Sequence, residues 1–145
     1  MTKDFSGFLT RLAAYFEAGD LDRLAAHCVM PLPVYFGDQL MVLGSQDVAA
    51  EALGLIRKMV TARDMARVEA VIEAVELPVG RYQRLFVVWT YTDTAGRLIG
   101  RSRVRYVLEP QAADIDPRVH LVHYVSTDFT DLAEQMPFSA PGETI

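Results

Sequence analysis

The spacing of hydrophobic residues changes character near residue 65. Before it, apolar side chains recur with a helical period. Phe5, Phe8, Leu9, Leu12, Tyr15 and Phe16 fall on one side of a helix over residues 4 to 18. Gly19 is a stop, and Asp20 is a good cap for a second helix of about residues 21 to 28 that turns Leu21, Leu24, Ala25 and Cys28 inward. Pro31 and Pro33 end that helix and force an extended chain. "PVYFGDQLMVL" reads as a short hairpin with its turn at Gly37 and Asp38. Ser45 caps a third helix, with Asp47 in the first turn and a stripe of Val48, Ala52, Leu55, Ile56 and Met59.

After residue 65 the period becomes two. "ARVEAVIEAVEL" places Val68, Ala70, Ile72 and Ala74 on one face of a strand, opposite Arg67, Glu69 and Glu73. "YQRLFVVWTYT" is a long apolar strand, and "DTAG" is a hairpin turn. Residues 97 to 109 form the next strand, then a polar loop, then a last strand over 118 to 129. Within "GRSRVRYVL" the side chains of Arg101, Arg103 and Arg105 share one face, and Ser102, Val104, Tyr106 and Leu108 share the other. Helices grouped before a run of strands predict an α+β fold: three helices packed on a curved, mostly antiparallel sheet, forming a cone with an internal pocket. The 145 residues suit one domain, over 1–130, followed by a C-terminal tail over 131–145.

Charge narrows the partners. Fourteen basic against nineteen acidic side chains give a net charge of −5, which argues against general nucleic-acid binding and against an acidic membrane surface. The charge is also segregated. Residues 81 to 105 hold six arginines against Asp93 alone, a basic patch on an acidic chain that suits self-association or internal pairing. Cys28 is the only cysteine, so no internal disulfide forms. No apolar run approaches the length of a membrane span, and the first residues lack the apolar core of a signal peptide, so the expected location is cytoplasmic.

The words "AAYFEAGDLDRLAAH", "VLGSQDVAAEAL", "RYVLE" and "RVHLVHYV", in this order of elements, resemble the nuclear transport factor 2-like superfamily, which includes SnoaL-like proteins and ketosteroid isomerase. The resemblance covers roughly residues 5 to 130. It implies that the isomerase's oxyanion-hole tyrosine falls at Leu12, its base aspartate near Phe36, and its second acid at Val104. All three positions are apolar here. Steroid-isomerase chemistry needs a base and a donor aimed at the enolate oxygen, and is disfavoured. The resemblance further implies inward sets of Leu85, Val87, Trp89 and Tyr91; Ser102, Val104, Tyr106 and Leu108; and His120, Val122, Tyr124 and Ser126.

Three readings follow. In the first, the cone cavity binds a small hydrophobic or aromatic molecule against Leu12, Phe36, Val87, Trp89, Tyr91, Val104, Tyr106, His120, Val122 and Tyr124, with no cofactor. In the second, an isomerase, dehydratase or cyclase uses His120, Tyr106, Tyr124 or Asp38; an imidazole titrates near neutrality, but a strand-end histidine in water is the plainer reading of His120. In the third, the chain is a dimeric protein-interaction module with a filled core, its interface on the outer sheet face at Phe86, Val88, Arg101, Arg103 and Arg105; a homodimer through that face is expected in the first reading as well. No metal site is expected, since His120 and His123 are three apart on a strand and point to opposite faces. No phosphate-binding or dinucleotide glycine pattern occurs, and Cys28 reads as a small buried hydrophobe rather than a nucleophile.

Overall fold

In a computed structural model that describes residues 5–136, the chain forms four helices and six strands. They are α1 (Ser6–Ala18), α2 (Leu21–Ala26), β1 (Leu32–Phe36), β2 (Gln39–Leu43), α3 (Gln46–Thr61), β3 (Met65–Val75), β4 (Gln83–Asp93), β5 (Leu98–Glu109), β6 (Arg118–Thr127) and the short α4 (Leu132–Gln135). The strands make one open sheet in the order β2-β1-β6-β5-β4-β3. Every pairing is antiparallel except β1 with β6, because β1 enters from the helix layer instead of from a hairpin with β6. The fold is the expected α+β layer of three helices on a curved sheet.

The helix boundaries follow local chemistry. Gly19 ends α1 in the left-handed conformation, at φ 75°. The Asp20 carboxylate accepts from the Arg23 backbone N–H to start α2, and the Ser45 hydroxyl accepts from the Val48 N–H to start α3. Asp93 organises the β4–β5 turn by accepting from the N–H groups of Ala95 and Arg97. Leu55, expected in the apolar stripe of α3, is instead exposed; Ala49, Ala52, Ile56 and Val60 form the buried face.

Helices and sheet are tied by two contacts that satisfy backbone groups at the end of α1. Arg57 of α3 donates to the carbonyls of Phe16 (2.8 Å) and Glu17 (2.9 Å). The Glu17 carboxylate in turn accepts from the Val68 N–H on β3 at 2.7 Å. The last carbonyls of α1 thus find a cation rather than water. The single core extends past residue 130, since Phe129, Leu132 and Met136 are buried in it. Residues 137–145 of the expected tail lie outside the described residues.

Alternation holds through β4 and most of β5 and fails in β3 and β6. In β6, Leu108 pairs with Val119 and Val107 with Leu121, so His120 is an inserted residue. A second irregularity places Val104 opposite Tyr124 and Arg103 opposite Ser126, with Val125 inserted. In β3, Ile72 pairs with Val87 and Ala74 with Phe86, which moves Ala74 to the outer face. Each bulge reverses the parity of the residues beyond it.

Candidate functional site

A cavity of about 90 Å³ lies between the helix layer and the concave side of the sheet. Its wall is almost wholly apolar. Leu12 and Phe16 come from α1, Ala49, Ala52, Leu53 and Ile56 from α3, and Met41 and Leu43 from β2. The sheet supplies Val68, Trp89, Tyr91, Tyr106, Val119, Val122 and Tyr124.

Of the residues expected there, Leu12, Trp89, Tyr91, Tyr106, Val122 and Tyr124 are on this wall. Phe36, Val87, Val104 and His120 are not. Phe36 sits behind Tyr124, with the two rings stacked at 4.5 Å and 3°. Val87 and Val104 face inward but are packed into the core, at 1% and 0% exposure. His120 is displaced by the bulge, and Val119 takes its place on the wall. For the same reason Thr127, not Ser126, meets Ser102 on the inner side, hydroxyl to hydroxyl at 2.8 Å.

His120 therefore belongs to an outer cluster. Its Nε2 lies 2.8 Å from the Glu109 carboxylate, and the edge of its ring contacts Tyr82. Arg81 approaches the other Glu109 oxygen at 3.4 Å. The His120 hydrogen bond, followed by the charge of Arg81, holds the Glu109 carboxyl below its ordinary range. His123 is also on the outer side, opposite Arg105, with its Nε2 3.2 Å from the Gly37 carbonyl. The expected placement of the two histidines on opposite faces is thus overturned by the inserted residue. Asp38 is exposed at the hairpin tip, away from the cavity wall. Among the described residues no group of three or more His, Cys, Asp or Glu side chains could hold a metal ion.

A second cluster had no signal in the sequence beyond an unremarked aspartate in the β5–β6 loop. Asp116 crosses to the helix layer and accepts from the Arg11 guanidinium, with Nε at 3.0 Å. His27 lies between two acceptors, with Nδ1 2.9 Å from the Arg23 carbonyl and Nε2 3.2 Å from Asp116. The hydrogen bond from Arg11, then that from His27, holds the Asp116 carboxyl below the usual aspartate range.

The polar atoms on the cavity wall are few. Trp89 Nε1 donates to the Tyr106 hydroxyl at 2.8 Å. Burial holds the Tyr91 and Tyr106 phenols well above their ordinary range, reinforced by Tyr124, and pushes Tyr124 itself to about 12. Burial likewise pushes the Cys28 thiol to about 12, which leaves it protonated and a poor nucleophile. Among the described residues, no carboxylate or imidazole is on this wall.

Phe86, Val88, Arg101, Arg103 and Arg105 all lie on the outer face of the sheet. Phe86 pairs with Arg105, Val88 with Arg103 and Thr90 with Arg101. They are not equivalent. Arg105 lies 4.4 Å over the Phe86 ring and 3.5 Å from Glu76, which also pairs with Arg84 at 2.6 Å. Arg103 makes only a loose 3.9 Å approach to Glu73 and is largely exposed.

No family model matches the sequence, and no curated protein matches it. Solved structures do match in shape. A cystatin-like domain of unknown function from Nostoc punctiforme superposes with a TM-score of 0.62 at 13% identity, over 82% of this chain and 72% of that one. A designed protein, Rd1NTF2_05 carrying substitutions, gives 0.61 at 15% identity, over 81% and 93%. The chain has the cystatin-like, nuclear transport factor 2-like fold. ActVI-ORFA from Streptomyces coelicolor shares it, with a TM-score of 0.59 at 12% identity over 86% and 92%. A nuclear transport factor 2-like fold carries many functions, so the site itself has to supply the argument. No helix among the described residues is long and apolar enough to cross a membrane.

Proposed function

We propose that the protein binds a small, neutral, mainly apolar molecule in the cavity of the cone. The observation that carries this reading is an unfilled space of about 90 Å³ walled by apolar and aromatic side chains from both layers. Leaving a void of about 90 Å³ in a core costs up to about 2 kcal/mol at ~24 cal/mol per Å³, which an apolar ligand recovers on entry. The size sets the scale of the occupant. Drug-sized sites run to roughly 300–1,000 Å³, and an apolar cavity of about 150 Å³ holds benzene. At about three-fifths of that benzene-holding volume, the occupant is smaller than benzene, a fragment of about four heavy atoms. Among the described residues no carboxylate or imidazole is on the wall, and burial keeps the Tyr106 and Tyr124 phenols protonated, so no group there is poised to take a proton as a base, which favours binding over the enzymatic reading.

The test is a methyl NMR titration with xenon, an apolar probe small enough for the space. Saturable shifts are expected at Leu12, Met41 and Val122 on the wall and not at the exposed Val71 and Val79. A linear, non-saturating response at all of these methyls would exclude the reading.

A second reading concerns the outer face, and it is compatible with the first. Half-buried Phe86 and Val88, exposed Val71 and the outward Arg101 and Arg103 support pairing of two copies through this surface. An apolar centre flanked by charge suits an interface.

A further inference from the structure

The cavity wall presents hydrogen-bond donors with nothing to donate to. Tyr91, Tyr106 and Tyr124 reach it from the adjacent strands β4, β5 and β6. Tyr91 and Tyr106 are 5% and 9% exposed. Among the described residues, the Tyr91 and Tyr124 hydroxyls make no hydrogen bond. The Tyr106 oxygen receives the Trp89 N–H, which occupies one lone pair and leaves the Tyr106 proton without an acceptor. Accepting that bond also polarises the Tyr106 O–H toward donation. Tyr124 is half-buried; hydroxyls turned into an apolar wall are ordinarily satisfied, and the unused donors of these tyrosines call for an acceptor.

Resting on the reading of the cavity as a binding site, we propose that its ligand carries a neutral carbonyl-type oxygen, a small ketone or aldehyde, held by the Tyr106 and Tyr124 hydroxyls with Tyr91 beside them. The chemistry selects against the other classes. A carboxylate would meet donors but no cation to offset its desolvation, and an ammonium would meet no carboxylate. A plain hydrocarbon fits the walls and leaves the donors unmet. A carbonyl oxygen has two lone pairs and no proton of its own to satisfy, so it matches two phenol donors at once. Burial keeps the phenols protonated well beyond neutral pH, so the donors persist across the physiological range.

The experiment uses acetone and its shape-matched alkene, isobutene, on the full chain. Binding is read by the methyls of Met41 and Val122 and by the emission of Trp89, the only tryptophan. Tyr106→Phe and Tyr124→Phe keep the ring and remove only the hydroxyl. Each is expected to weaken acetone about three- to tenfold and to leave the alkene unchanged, the loss of one neutral hydrogen bond. Because Tyr106→Phe also strips the acceptor from Trp89, Tyr124→Phe is the cleaner variant, and both are checked for an unchanged circular dichroism spectrum. If both variants bind the ketone as wild type does, or if wild type takes the alkene and refuses the ketone, the donor assignment is overturned while the cavity reading stands. If wild type binds neither probe, both fall together.

Discussion

Replacing Ala52 by leucine adds an isopropyl group to the wall of the cavity from the middle of α3. Ala52 is 4% exposed and lines the space directly, so the larger side chain enters the void instead of solvent. The void is about 90 Å³, and at ~24 cal/mol per Å³ filling it completely is worth about 2 kcal/mol. An isopropyl group fills most but not all of it, which brings the expected gain to about 1–1.5 kcal/mol. Leucine is nearly as good a helix former as alanine, so little is lost in α3 itself. For a chain of this length the gain corresponds to a rise in Tm of roughly 3–5 °C. Urea unfolding followed by Trp89 emission is the assay, with a higher midpoint and an unchanged slope expected. Xenon binding should vanish in the same variant. Stability and binding therefore move in opposite directions, as they should when an open space is kept for a ligand. A lower midpoint would mean that the wall cannot take the group and that the space is not there. Stabilisation with undiminished probe binding would put the ligand elsewhere.

Arg57→Met removes both donors to the last carbonyls of α1 while keeping the length of the side chain, and is expected to lower stability by about 1–3 kcal/mol in urea unfolding. Asp116→Asn tests the bond between the β5–β6 loop and the helix layer. The folded carboxyl is held below its ordinary value of 3.8, so its contribution is complete above that value and fades as pH falls through the folded one. The variant should be less stable than wild type at pH 7, with the gap narrowing as pH falls below 3.8, and parallel stability curves across acid pH would refute the linkage. Arg103→Glu reverses an exposed charge at the centre of the outer face. It is expected to shift a dimer toward monomer in size-exclusion chromatography with light scattering and to leave xenon binding unchanged; a wild type already monomeric at micromolar concentration would remove the outer-face reading.

The helices, the hairpin and the long strands were legible in the sequence because their signals are local. Asp20, Ser45, Gly19 and the turn at Gly37 each act within a few residues, and the alternation in β4 and β5 survives because no residue is inserted between Leu85 and Tyr91 or between Gly100 and Leu108. This is why the arginines of "GRSRVRYVL" could be assigned together to one face, opposite Ser102, Val104 and Tyr106. What the arginines do there was not local. Arg105 is bound to Glu76 and lies over Phe86, whereas Arg103 is left largely exposed, and both outcomes depend on neighbouring strands. The last strand shows the limit most directly. Reading every second residue puts His120 in the cavity, yet one extra residue opposite Val107 moves it out to Glu109 and brings Val119 in. A bulge is a property of a pair of strands, and its position depends on how the partner's side chains pack, so one strand's sequence cannot display it. By itself the sequence determined the order of elements, the capping and the apolar character of the interior. The tertiary structure decided which faces are which, that Asp116 and Glu109 would find their histidines, and that tyrosines from three strands would line one small void, because each of these is a relation between residues far apart in the chain.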